Sequence, residues 1–135
     1  MSQENVEIVR RTFDLWSRGA DDEFVRNIAP DVEWHHNIGV GTPLEGVYHG
    51  RSQVLGLFDT IRDSFGVGYF ELEEVRDLST TEVLALGQLH LEGRGSGAAV
   101  VTPFGAVVEV VDGLAVRQWF WTDQSKALEA AGLRE

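Results

Sequence analysis

The chain has 135 residues, a length that folds as one domain around a single core, and no apolar run in it is long enough to span a membrane. Its 22 acidic against 11 basic residues leave a net charge of −11, which repels a phosphate backbone and removes nucleic acid from the expected partners. The absence of cysteine excludes disulfides, thiol nucleophiles and thiolate zinc sites, and an acidic, polar start where a signal peptide is basic and then apolar points to the cytoplasm.

From Glu4 to Arg18, Val6, Val9, Phe13 and Trp16 recur at helical spacing, with Ile8 and Leu15 widening the stripe and Gly19 placed to end the helix. Asp21, Asp22 and Glu23 open a shorter helix through Ile28, their charges at the positive end of its dipole, and Pro30 ends it. Asp31 to His36 reads as a short strand with Val32, Trp34 and His36 on one face and Glu33 and His35 on the other. Residues 37–50, rich in glycine and carrying Pro43, are expected as a loop of the kind that rims binding sites. Tyr48, His49 and Gly50 lead from it into a third helix, Ser52 to Phe65, whose stripe is Val54, Phe58, Ile61 and Phe65.

The remainder is extended. Tyr69 to Leu78 alternates only moderately; Val83 to Leu91 is a nearly continuous apolar run interrupted by Gln88 and His90. Gly93 to Gly97 is a hairpin turn and not a phosphate loop, because a strand follows it instead of a helix. Ala98 to Val111 is expected as a strand broken or bulged near Pro103 and Gly105, since proline cannot donate to a ladder. Asp112 and Gly113 then turn the chain into a long strand, Leu114 to Thr122, after which Asp123 caps a short helix ending at Gly132. Three helices followed by strands at hairpin spacing predict an α+β fold with a mainly antiparallel sheet in one domain, residues 1–135.

This order of elements, with Phe13-Asp-Leu-Trp-Ser-Arg-Gly19, Ala29-Pro-Asp-Val-Glu-Trp34, Tyr48-His-Gly50, Gly93-Arg-Gly-Ser-Gly97, Asp112-Gly113, Trp121-Thr-Asp123 and Ala127-Leu-Glu-Ala-Ala-Gly-Leu133, resembles the SnoaL-like, or polyketide-cyclase-like, branch of the nuclear transport factor 2-like superfamily. The resemblance implies a cone, in which a curved sheet wraps the helices around an apolar pocket open at one end. It also implies where acid/base residues stand in the cyclases, isomerases and epoxide hydrolases of that fold. At those positions this chain has Phe120, Ala106 and Trp34, all apolar, so the usual carboxylate and histidine are not carried over.

The residues expected to line the pocket are Trp16, Trp34, Tyr48, Phe58, Gln88, Ala106, Gln118 and Phe120, with His36 and His90 as the acid/base candidates. His36 reads either as a general base or carbonyl donor, or as a partly buried histidine bonded to a loop carbonyl. Gln88 and His90, two apart on one strand face, either hold a ligand or satisfy one another. Trp119 and Trp121 read as a ligand platform, or as sheet packing or a dimer interface. The histidines lack the spacing of a metal motif, so neither metal nor cofactor is expected. The expected partner is a hydrophobic, ring-containing small molecule bound by a homodimer; the alternative is a non-catalytic homodimeric accessory domain.

Overall fold

A computed structural model describes residues 2–37 and 44–132. Of the loop expected over residues 37–50, residues 38–43, Pro43 included, lie outside the described residues. Helix α1 (Ser2–Ser17) buries Val6, Val9, Phe13, Leu15 and Trp16, the expected stripe. It ends as a Schellman motif: Gly19 has φ +72°, and the amides of Gly19 and Ala20 donate to the carbonyls of Trp16 and Leu15 at 3.0 and 2.9 Å. Helix α2 (Asp21–Phe24) and a 3₁₀ turn (Val25–Asn27) follow, shorter than expected, because strand β1 (Ile28–Asn37) already begins before Pro30. Strand β2 (Gly46–His49) returns along β1 and passes into helix α3 (Gly50–Ser64), which buries Val54, Leu57 and Phe58. Among the described residues no helix is long and apolar enough to cross a membrane.

Strands β3 (Phe65–Asp77), β4 (Glu82–Gly93), β5 (Ala99–Val111) and β6 (Leu114–Trp121) form a meander, and helix α4 (Gln124–Ala130) follows directly. The six strands make one curved, unclosed sheet in the order β2-β1-β6-β5-β4-β3, antiparallel throughout except where β1 meets β6 in parallel. That parallel contact closes the design: the last strand lies beside the first, so residues 34–37 and 118–121 stand side by side. Asp112 (φ +53°) and Gly113 (φ +82°) form the tight turn expected there.

The concave face of the sheet wraps α1 and α3 around an aromatic core. Phe104, fully buried, packs on Phe13, Phe70 and Phe120 with ring centroids 5.4, 4.8 and 5.6 Å away. A second, smaller core lies on the convex face, where Leu84, Leu86 and Val107 are roofed by Ala127 of α4. Gly105 makes that roof fit: a Cβ placed there would lie 2.5 Å from Cβ of Ala127. Asp123 caps α4, its carboxylate accepting from the Ser125 amide at 3.0 Å and from the Ser125 hydroxyl at 2.6 Å; these bonds hold its carboxyl below the usual range.

No bulge occurs at Pro103. Strand β5 stays in register with β4 from Ala99 to Glu109, with Pro103 opposite Gln88. Strand β6 has already ended by then, its last pair being Trp121 with Gly105, so Pro103 lies where β5 has a neighbour on one side only. The register shift of β5 falls instead between Glu109 and Val110.

Candidate functional site

The period-2 alternation of β1 sends Val32, Trp34 and His36 to the concave face and leaves Glu33 and His35 outside, as expected. Opposite them on β6, Gln118 pairs with Trp34 and Phe120 with His36, so the four side chains form a two-by-two patch on the inner face. Above this patch α1 contributes Thr12, Phe13 and Trp16, α2 contributes Phe24, and α3 contributes Phe58 and Ile61. The far wall comes from Phe65 and Phe70 of β3 and Leu89 and Leu91 of β4, and Leu44, Thr102 and Thr122 complete the lining. Together they enclose a cavity of about 360 Å³.

Edge-to-face packing keeps the rings apart enough to leave this space. Phe58 meets Phe24, Trp34 and Trp16 at 5.0, 5.9 and 6.1 Å between centroids, with interplanar angles of 82°, 79° and 74°. Large flat side chains set edge-on against one another cannot collapse as flexible aliphatic chains do, and their rotamers are locked by burial.

His36 is the one titratable side chain in the described lining. It is 8% exposed and stacks on Phe120 at 5.2 Å and 14°. Burial alone pushes its pKa down to about 4, so the imidazole is neutral at pH 7. Its Nδ1 is fully buried with no hydrogen-bond partner among the described residues, which sets aside the reading in which a loop carbonyl of those residues satisfies it. Gln118, 4% exposed, also makes no side-chain hydrogen bond among the described residues. Thr12, in contrast, is satisfied by the Val9 carbonyl at 2.8 Å.

Six of the expected site residues are therefore gathered in the cavity wall: Trp16, Trp34, His36, Phe58, Gln118 and Phe120. Four stand elsewhere, and each departure has a physical cause. Gln88 and His90 share a face as expected, but it is the convex one, since Leu89 and Leu91 take the inner face. There Gln88 Nε2 donates to Glu73 at 3.3 Å, while His90 stacks on Tyr69 at 4.4 Å and lies 2.8 Å from Glu71 Oε1. The expectation of His90 as a second acid/base candidate at the pocket is thus corrected: the sheet separates it from His36. Ala106 is fully buried beside Phe120, its methyl part of the core and not of the lining. Tyr48 is half-buried behind the wall and donates its hydroxyl to the carbonyl of Leu44 at 2.8 Å, holding a lining residue in place.

Residues the sequence reading did not assign to the site include Phe13, Phe24, Phe70 and Leu89. The odd-numbered alternation of Leu89 and Leu91 was the available signal for the far wall. Outside the cone, Arg117 bonds Glu33 at 2.8 Å and Glu109 at 3.1 Å, and His35 lies 3.0 Å from Glu33 and stacks on Trp119 at 5.4 Å. The Arg117 bond, reinforced by His35, holds the Glu33 carboxyl below its ordinary value. Trp119 and Trp121 pack on the convex core beneath α4.

Solved structures share this arrangement. An NTF2-like protein of unknown function from Burkholderia pseudomallei is 22% identical, superposes with a TM-score of 0.79, and is matched over 96% of this chain and 97% of its own. TerC, co-crystallised with polyporic acid, is 19% identical with a TM-score of 0.79, over 96% and 98%. A candidate SnoaL-like polyketide cyclase from Jannaschia sp. CCS1 is 19% identical with a TM-score of 0.77, over 100% and 96%. At these identities the likeness shows the fold. No curated protein matches the sequence. The SnoaL-like domain family matches residues 9–118, which span both helical walls and Trp34, His36 and Gln118 of the patch, and the chain belongs to that family.

Proposed function

We propose that this protein binds a hydrophobic, ring-containing small molecule in the cone, between the Trp34, His36, Gln118 and Phe120 patch and the aromatic side chains of α1 and α3. One observation carries the reading: a cavity of about 360 Å³ walled almost wholly by apolar side chains, with His36 Nδ1 buried and without a hydrogen-bond partner among the described residues. Ligand sites are usually apolar hollows of roughly 300–1,000 Å³ with a few placed polar groups. The co-crystallisation of TerC with polyporic acid supports the choice of ligand class. Any acid/base chemistry in the described lining runs through His36, because no carboxylate stands there. A thermal-shift screen against steroids, polyketides and terpenoids tests the proposal. Stabilisation by a ring compound, lost in Trp34→Ala, is the expected result; no stabilisation by any of them overturns it.

A second reading, a homodimeric accessory domain working through its convex face, is favoured by Val47, 46% exposed and paired across the strands with His35 beside Trp119. Sedimentation at micromolar concentration checks it, and a monomer rejects it.

A further inference from the structure

A second hollow, of about 290 Å³, lies beside the cavity, where the C-terminal ends of α1 and α3 meet the start of β3; Ser17, Arg62, Gly66, Gly68 and Arg94 are among its walls. Four residues, Trp16, Ile61, Phe65 and Leu91, line both spaces. Trp16 is the largest of them and, at 6% exposed, the only buried one. Its indole is bracketed by groups that belong to one space or the other. Phe58 and Phe70, with ring centroids 6.1 and 4.9 Å from it, line the cone and not the second hollow. Arg62 and Gly68 line the second hollow and not the cone. The Arg62 guanidinium lies over the indole at 5.1 Å, and a Cβ placed on Gly68 would come within 3.1 Å of Trp16 Cη2. The ring therefore stands between the two spaces, and the absence of a side chain at Gly68 is what gives its outer edge room.

This partition is held in place. Arg62 Nη1 donates to the Asp21 carboxylate, and Nη2 donates to the backbone carbonyl of Trp16 itself at 3.1 Å, so the cation that covers the ring is anchored to the ring's own residue and to α2. Swinging the indole aside would give up its contacts with Phe58, Phe70 and Arg62 together. A hydrophobic ligand gains about fourfold in affinity for each methylene it buries, and the gain stops where the space stops. We propose that Trp16 is the specificity-determining residue of the cone: its indole closes the cavity on the side of the second hollow and restricts the ligand to a compact ring system, excluding the burial of a long apolar tail. The inference rests on the reading that the cone is the binding site, and it adds to that reading the length of ligand the site accepts. Excess chain either presses on Trp16 or leaves through the open end of the cone, and in both cases earns no further burial.

The probes are 4-ethyl-, 4-butyl-, 4-hexyl- and 4-octylphenol, titrated by calorimetry into the wild type, Trp16→Ala and Trp16→Phe. Amide NMR spectra locate the chain: Gly66, Gly68 and Arg94 line the second hollow only, and Gln118 and Phe120 line the cone only. In the wild type, affinity should rise about fourfold per methylene and level off before octyl, with shifts at Gln118 and Phe120 and none at Gly66 or Gly68. In Trp16→Ala the rise should continue, so that octylphenol binds about tenfold or more tightly than to the wild type, the gain of about two further buried methylenes. Gly66 and Gly68 should then shift with the long phenols and not with ethylphenol. Trp16→Phe, which keeps a smaller ring against Phe58 and Phe70, should fall between. An unbroken rise in the wild type, the same levelling length in all the proteins, or long-chain shifts at Gly66 and Gly68 in the wild type overturns the partition, while binding of ethylphenol at Gln118 and Phe120 leaves the cone reading intact. If no phenol binds, the cone reading falls and the partition with it. Should Trp16→Ala fail to fold, Trp16→Phe and the wild-type series decide.

Discussion

His36→Phe changes the pH dependence of stability in a way that follows from burial alone. The imidazole has a pKa of about 4 in the folded chain against 6.5 ordinarily. Folding thus disfavours the protonated form, and the unfolded state binds more protons between these two values. The sign is fixed: the contribution is fully present above about pH 6.5 and is lost as the pH falls towards 4. At about 1.4 kcal/mol per pH unit separating the values, the complete loss is about 3 kcal/mol, of which about 2 kcal/mol falls between pH 7 and pH 4.5. Glu33 and Asp123, both with lowered pKa, are retained in the variant and so drop out of the comparison. Phenylalanine also keeps a flat ring against Phe120. Urea unfolding followed by tryptophan fluorescence, at pH steps from about 7 to about 4.5, gives the two curves. The wild type should lose about 2 kcal/mol more than His36→Phe over that span. Parallel curves would refute the reasoning, for then His36 is either hydrated or paired in the folded state.

Phe104→Ala removes the ring on which Phe13, Phe70 and Phe120 converge and should destabilise by about 3–5 kcal/mol, read as a lower urea midpoint with an unchanged m-value. Gly105→Val drives side-chain atoms into Ala127 and Leu86, which a Cβ alone would approach to 2.5 and 3.2 Å, and should cost about 1–3 kcal/mol. The near-ultraviolet circular dichroism of Trp119 and Trp121 beneath α4 should change with it; an unchanged spectrum argues against the docking described. The double substitution Gln88→Ala, His90→Ala lies on the convex face and should alter the affinity for a ring compound found in the thermal-shift screen by less than about twofold, whereas Trp34→Ala should weaken it by about tenfold or more. Equal losses in the two would return Gln88 and His90 to the ligand site.

The helices and the β1–β6 patch were legible because each carries an unbroken period. Val6, Val9, Phe13 and Trp16 keep the 3.6-residue repeat, and Trp34, His36, Gln118 and Phe120 keep the alternation of two, so spacing grouped them by face and the family resemblance implied which strand face turns inward. Strand β4 concealed its parity. Its outer residues Leu84 and Leu86 are apolar because α4 covers them, and Gln88 and His90 are polar because that cover has ended. The nearly continuous apolar run is buried on both faces only for half its length, and the polar pair marks the end of the roof, not an entry to the pocket. Strand β3 hid its share of the site differently. The register shift between Leu72 and Glu74 moves the inward set from Phe70 and Leu72 to Val75, which explains the weak alternation and the omission of Phe70. Parity also bears on chemistry. The positions that the resemblance implies for acid and base hold Phe120, Ala106 and Trp34, and the polar side chains of β1 and β6 in the described lining are those of His36 and Gln118. The described lining thus sets aromatic and aliphatic side chains around two neutral polar ones, and holds no carboxylate.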